Sequence, residues 1–180
     1  SNVLVDLMAR VSVIPQFLKN PALYYSYDIQ EGDTPEIIAH KYYGDSYRYW
    51  IVLFSNQIID PQWDWPLNGN NFEQYITDKY TQFNPYSTVH HYEKIITQYD
   101  VSTNTTTTNK VVVSEDDYPY IVNQTNTYTL PTGVVSVTTS GRAVDYYTYE
   151  LELNESKRNI KLLNKNYVNE FESEFKRLMV

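Results

Sequence analysis

The stretch YDIQEGDTPEIIAHKYYGDSYRYWIVLFSNQIIDPQWDWPLN, Tyr27 to Asn68, carries the densest structural signals in the chain. Tyr27–Ile29 has strand composition. Glu31-Gly32-Asp33 reads as a turn, with Gly32 suited to positive φ. Thr34 then stands as an N-cap, with Pro35 at the first helical position and Glu36 near the positive end of the helix dipole. Ile38 and Tyr42 share a face of that helix, and Gly44 ends it as a C′ glycine does. A second helix is expected from Asp45 or Ser46 to near Asn56, because Tyr47, Trp50, Ile51 and Phe54 recur at helical spacing. Ile58–Pro61 reads as a short extended piece closed by Pro61. The order is strand, helix, helix, strand.

Working outward, residues 1–26 form an N-terminal arm whose apolar residues follow no clean period and are interrupted by Pro15 and Pro21. Residues 71–86 read as a further helix ended by Asn84-Pro85, so that 27–86 is one core module plus its following helix. Residues 87–149 change character: Thr, Val, Tyr and Asn dominate, VHHYEKIITQYDV, NKVVVSED and GVVSVTTSG read as strands, RAVDYYTYELEL continues in the same style, and the whole reads as an antiparallel insertion built from hairpins. The Thr-rich piece STNTTTT between the first two is expected to be a solvent-exposed loop. Residues 150–180 are expected to be one long amphipathic helix. Ile160, Leu163, Tyr167, Phe171, Phe175 and Leu178 follow one another at steps of 3, 4, 4, 4 and 3 and make a continuous apolar stripe suited to docking on a partner. The fold class expected is α+β.

Composition narrows the function. With 14 basic and 22 acidic residues among 180, the net charge of -8 disfavours a general nucleic-acid binder and electrostatic docking on anionic lipid. No apolar run reaches the length of a membrane span. The absence of cysteine excludes disulfides, thiolate zinc sites and cysteine nucleophiles. The 19 tyrosines favour either strands or wide, wet interfaces.

The candidates for chemistry are weak. Asp60 and Asp64 lie beside Trp63 and Trp65 as a carboxylate pair does in a glycosidase, but Asp60 precedes a proline, where aspartate commonly forms a turn. His90 and His91, if in a strand, point to opposite faces and do not converge on a metal. No phosphate loop or nucleophile elbow is present. No enzyme activity, cofactor or metal is therefore expected. Trp50 reads as a core residue of the second helix. Trp63 and Trp65, alternating in an extended segment, would face the same way and offer a platform for a sugar or a protein.

Two resemblances organise these readings. The pattern Y-x-I-x-x-GDT-x-x-x-IA, from Tyr27 to Ala39, resembles the LysM module, a βααβ fold that binds N-acetylglucosamine polymers such as peptidoglycan and chitin. The longer stretch IAHKYYGDSYRYWIVLFSNQIIDPQWDWPL resembles the baseplate wedge protein 53 family of contractile-tailed, T-even-type bacteriophages, through Tyr43-Gly44, Tyr49-Trp50, Asn56, Asp60-Pro61 and Trp65. The C-terminal NESKRNIKLL and the stripe that follows resemble that family too. The resemblance implies a degenerate LysM-like core, marked by Gly32, Asp33, Thr34, Gly44, Trp50, Asn56, Asp60, Pro61 and Trp65. It further implies a structural subunit of the virion tail baseplate, assembled in the host cytoplasm. Its implied partners are other wedge proteins, sheath-initiation or tube-proximal proteins and hub proteins, in a roughly six-fold assembly. The alternative is a glycan-binding LysM module.

Overall fold

The computed structural model describes residues 20–178, so the expected arm lies largely outside the described residues. In chain order the regular elements are β1 (Tyr24–Asp28), α1 (Pro35–Tyr43), α2 (Tyr49–Ser55), the single-turn α3 (Pro61–Asp64), α4 (Gly69–Lys79), β2 (Val89–Asp100), β3 (Thr105–Val113), β4 (Gln124–Leu130), β5 (Gly133–Asp145), α5 (Tyr146–Ser156), β6 (Asn159–Leu163) and α6 (Val168–Leu178). Mixed helix and sheet make the class α+β. Contacts divide the chain into two units, one from residues up to Phe72 together with Asn154 onward, the other Glu73–Leu153.

In the first unit, α1 is bounded by local chemistry. Thr34 Oγ accepts from the Ile37 N–H, Pro35 opens the helix, and Gly44 closes it at φ 75° with its N–H on His40 O. A 3-10 turn at Ser46–Arg48, capped by Asp45, leads into α2. β1 then pairs antiparallel with β6, from Tyr24 opposite Leu163 to Asp28 opposite Asn159. Ile38, Ala39, Ile51, Val52, Ile160, Leu162, Leu163, Val168 and Phe171 are buried together in one core.

This arrangement corrects two sequence expectations. Ile58–Pro61 is not the second strand. Asp60 caps a helical turn with Pro61 at its first position, the same Asx/Thr-Pro signal that starts α1. The strand that pairs with β1 is instead β6, far along the chain. The expected helix over 150–180 is also broken, into α5, β6, a 3-10 turn at Lys165–Tyr167 and α6. Its polar linker at Lys157-Arg158 allows the chain to become extended, and pairing with β1 satisfies backbone groups that a helix would have left unpaired on β1. Ile160 and Leu162 point into the core while Asn159 and Lys161 face out, the period of a strand.

The second unit is built on a four-stranded antiparallel sheet in the order β3-β2-β5-β4. β2 pairs with β3 and β4 with β5, each antiparallel, but the strand style expected through RAVDYYTYELEL ends at Asp145, where helix α5 begins. However, the Thr-rich segment is not all loop: Thr105–Thr108 belong to β3, paired with Asp100 to Thr97 of β2, as suits a β-branched residue. The hairpin turn is held by Asp100, whose carboxylate accepts from the Ser102 N–H at 2.8 Å and the Ser102 hydroxyl at 2.6 Å. Helix α4 stops at Lys79, short of the expected 86, and Tyr80 and Phe83 instead pack at a tilt against Tyr146, at centroid distances of 5.3 and 4.8 Å.

Two buried carboxylates anchor polar networks in this unit. Glu150 is only 7% exposed and accepts from Lys79 Nζ at 2.7 Å, Tyr80 OH at 2.6 Å and Tyr75 OH at 3.1 Å. Burial alone would push the Glu150 carboxyl up, but Lys79 and Tyr80 outweigh it and hold it below the usual carboxylate range. Burial, with that same carboxylate, pushes Tyr80 up to about 12. Glu93, also buried, takes both Nε and Nη2 of Arg142, which in turn reaches Glu152.

Candidate interaction surface

The residues singled out by sequence form a brace inside the first unit. Gly32 adopts φ 82°, which turns the chain from β1 toward α1. Asp33 follows and is buried. Its carboxylate accepts from Lys41 Nζ at 2.6 Å, Tyr27 OH at 2.7 Å and the Gln30 N–H at 3.1 Å. Burial would raise Asp33, yet Lys41 and Tyr27 hold its carboxyl below the ordinary value, while the bonded carboxylate pushes Tyr27 up to about 12. The backbone carbonyl of Asp33 accepts from Trp65 Nε1 at 3.0 Å, which ties the segment after α3 to the β1–α1 turn.

Asn56 braces the other side. Its Oδ1 accepts from the Lys161 N–H at 2.7 Å, and its Nδ2 donates to Lys161 O and Val52 O, each at 2.8 Å. One amide thus bonds both backbone groups on the open side of β6 and fastens that strand to α2. Asn154, which the sequence reading did not single out, does the same for Leu67, whose N–H it accepts at 2.7 Å and whose carbonyl it meets at 3.0 Å. Replacing Asn56 by alanine exposes the Lys161 backbone groups to water rather than burying them. A loss of about 1–2 kcal/mol is expected, read as a lower urea midpoint with unchanged slope.

The carboxylates near the tryptophans are engaged locally. Asp60 accepts from the Gln62 N–H at 3.0 Å, and Asp64 accepts from the Ile59 and Asp60 N–H groups at 3.3 and 3.2 Å. They cap and close the α3 turn. The two tryptophans do not face the same way, because the segment between them is helical: Trp65 is 9% exposed and Trp63 is 63% exposed. A cleft of about 210 Å³ lies along Gln30–Thr34, Trp65 and Asn68, but the Trp65 ring is packed into its wall and offers no open face for stacking a sugar.

His90 and His91 also depart from expectation. A register irregularity in the β2–β5 pairing between Val89 and His91 breaks the strand's alternation and brings their Nδ1 atoms to 2.8 Å. His90 stacks on Tyr149 at 3.9 Å, and burial lowers its pKa. His91 Nε2 meets Glu93 at 3.2 Å. Among the described residues, no group of three or more His, Asp or Glu could hold a metal ion.

The C-terminal stripe is spread over three elements. Ile160, Leu163 and Phe171 lie in the chain's own core, so their side chains are not open to a partner. Trp50 stacks on Phe171 and tilts against Phe175 at 5.8 and 4.7 Å, and Arg48 pairs with Glu172. Phe175 is half-buried against the same helix and Tyr167 remains partly open, while the Leu178 side chain lies outside the described residues. More open apolar groups of this unit lie elsewhere: Tyr47 after α1 is 84% exposed, and at the α3 turn Ile59 is 92% and Trp63 63% exposed. Beside them, Lys157 Nζ donates to Trp63 O at 2.7 Å, and Asn56, Asp64 and Lys157 line a second cleft. The sequence does not mark Ile59, because Ile58–Pro61 reads as a short extended piece rather than the start of a helical turn.

The sequence profile described as base plate wedge protein 53 matches residues 14–178. The chain belongs to the base plate wedge protein 53 family. A similar protein is the baseplate wedge protein gp53 of Enterobacteria phage T4, 27% identical over 158 residues, which cover 86% of this chain and 72% of that one. The match spans both units, so the sheet-bearing second unit falls within the family's extent as well as the braced first unit.

Proposed function

We propose that this protein is a structural subunit of a phage tail baseplate wedge, joining neighbouring wedge proteins and linking the wedge to the central hub and sheath-initiation region. The observation that carries this reading is the family match over residues 14–178. A structural role fits the site: the motif residues are spent on caps and braces, and the exposed groups are apolar anchors rather than paired reactive groups. The first unit serves as a LysM-like block. In support, β1, α1 and α2 are followed, after the intervening elements, by an antiparallel second strand, β6. The block is used as a joint, with Trp63 and Ile59 as its anchors, because a large exposed aromatic beside an exposed aliphatic residue is the usual make-up of an interface hot spot. Its partners are other baseplate proteins in a roughly six-fold assembly, put together in the host cytoplasm.

The test is the double substitution Trp63→Ala/Ile59→Ala. Both side chains are exposed, so the free chain should keep its stability to within about 0.5 kcal/mol. Incorporation into tails, read by quantitative mass spectrometry of purified particles, should fall at least ~10-fold, as loss of a hot-spot anchor does. Wild-type incorporation by the folded variant would remove the α3 turn from the joint. Titration of N-acetylglucosamine oligomers against intrinsic tryptophan fluorescence should give no saturable change.

A further inference from the structure

The sheet of the second unit has two edges, and they differ. At one edge, β3 carries Lys110, which pairs with Glu152 at 3.3 Å, and is followed by Glu115, Asp116 and Asp117. Charges of this kind protect an edge from pairing with another chain. At the other edge, β4 has no such protection. One residue in five of the whole protein is charged, at 20%, yet no charge occurs from Tyr118 to Gly141. β4 itself, QTNTYTL, contains no proline, and its pairing with β5 runs from Gln124 opposite Thr139 to Leu130 opposite Gly133 without a bulge. All seven of its residues are exposed. Its backbone groups make no bonds among the described residues beyond the β5 ladder, so alternate N–H and C=O groups point outward unpaired.

The two faces of this edge are chemically distinct. Thr125, Thr127 and Thr129 lie on one, where Thr125 already bonds Thr138 at 2.9 Å and Thr127 bonds Ser136 at 3.3 Å. Tyr128, 51% exposed, and Leu130, 47% exposed, lie on the other. An incoming strand would extend the hydroxyl ladder on one face and cover the aromatic and aliphatic groups on the other. With no charge along the edge, docking there removes no ionised group from water, and the backbone amides it covers regain hydrogen bonds at once.

We propose that β4 is a docking edge that takes an extended strand from another baseplate protein. The strand is uncharged and alternates Thr, Ser or Val with apolar residues. A different protein is favoured over a second copy because each copy carries a net charge of -8, with Glu115, Asp116 and Asp117 just ahead of this segment. The partner's identity as a baseplate protein rests on the function proposed above.

Hydrogen exchange of the full-length chain, alone and within purified tails, tests it. The outward amides of Gln124–Leu130 should exchange at least ~10-fold more slowly in tails, since added ladder bonds raise the local opening energy. Equal rates in both states would overturn the proposal while leaving the baseplate reading intact, whereas absence of the chain from tails would defeat the baseplate reading itself. A Thr127→Lys/Thr129→Lys variant should melt as the wild type does, retain protection across β2 and β5, and lose incorporation; full incorporation would also overturn the proposal. Sedimentation velocity of the free chain decides the occupant: a dimer that these lysines abolish would mean that a second copy fills the edge and would overturn the partner named.

Discussion

Truncating Leu163 to alanine is expected to destabilise the free chain by about 2–5 kcal/mol, the range for removing a buried aliphatic side chain that leaves a cavity. Leu163 is 0% exposed and lies in the same core as Ile51, Val52, Val168 and Phe171. It sits opposite Tyr24 at the end of the β1–β6 ladder, so the loss also loosens the strand that closes the first unit. Urea unfolding of the isolated variant measures the effect. A partner-facing stripe would give the opposite outcome, with unchanged stability in the free chain and loss only on assembly. An unaltered midpoint for Leu163→Ala would therefore restore the docking-helix reading that β6 displaces.

In the second unit the largest loss is expected at Glu150. Its carboxylate gathers Lys79, Tyr80 and Tyr75, and it is the point where α5 is fastened to α4. Glu150→Ala leaves the two hydroxyls and the ammonium without their common acceptor. Lys79 is 43% exposed and recovers part of its hydration, which places the cost at about 2–4 kcal/mol rather than at the upper end for a fully buried pair. Glu150→Gln keeps the shape and should recover part of the loss. The pH dependence has a definite sign. The folded carboxyl lies below its ordinary value, so its contribution is fully present above the unfolded-state value and fades as pH falls through the folded one. Wild-type stability should thus fall on acidification below the ordinary carboxylate range, and Glu150→Gln should flatten part of that slope. A variant with the full wild-type slope would assign the acid sensitivity elsewhere.

Legibility followed the range of the interactions. The limits of α1 are set within a few residues, by the Thr34 cap, Pro35 and Gly44, and could be read directly. In the insertion, β2, the Val-rich end of β3 and β5 were legible through their Val and Thr content, whereas β4, whose QTNTYTL shows no apolar alternation, was not, and the tyrosines after Asp145 suggested more strand where helix α5 begins. β6 was misread because Ile160, Leu163, Tyr167, Phe171 and Phe175 fit a helical stripe when taken alone. The contrary signal was present in Asn159-Ile160-Lys161-Leu162, which alternates polar and apolar residues, but its weight comes from pairing with β1, more than a hundred positions away. Asp60-Pro61 repeats the helix-start chemistry of Thr34-Pro35 and was legible by the same rule; reading it as a strand end misplaced Ile59 and put Trp63 and Trp65 on one side. Asn56 could be marked through family resemblance, but its work on Lys161 could not be seen until β6 was placed. The Glu150 cluster joins residues some 70 positions apart through polar side chains that follow no period.

The central claim is that this chain is built into the tail as a structural subunit. Cross-linking mass spectrometry on purified tails of the phage that encodes it is the most direct measurement. The chain should be present in a fixed ratio to the other baseplate proteins, with cross-links from Lys157, beside the exposed Trp63, to a second baseplate protein. Purified, infectious particles that lack the chain, from cells in which it is expressed, would contradict the account.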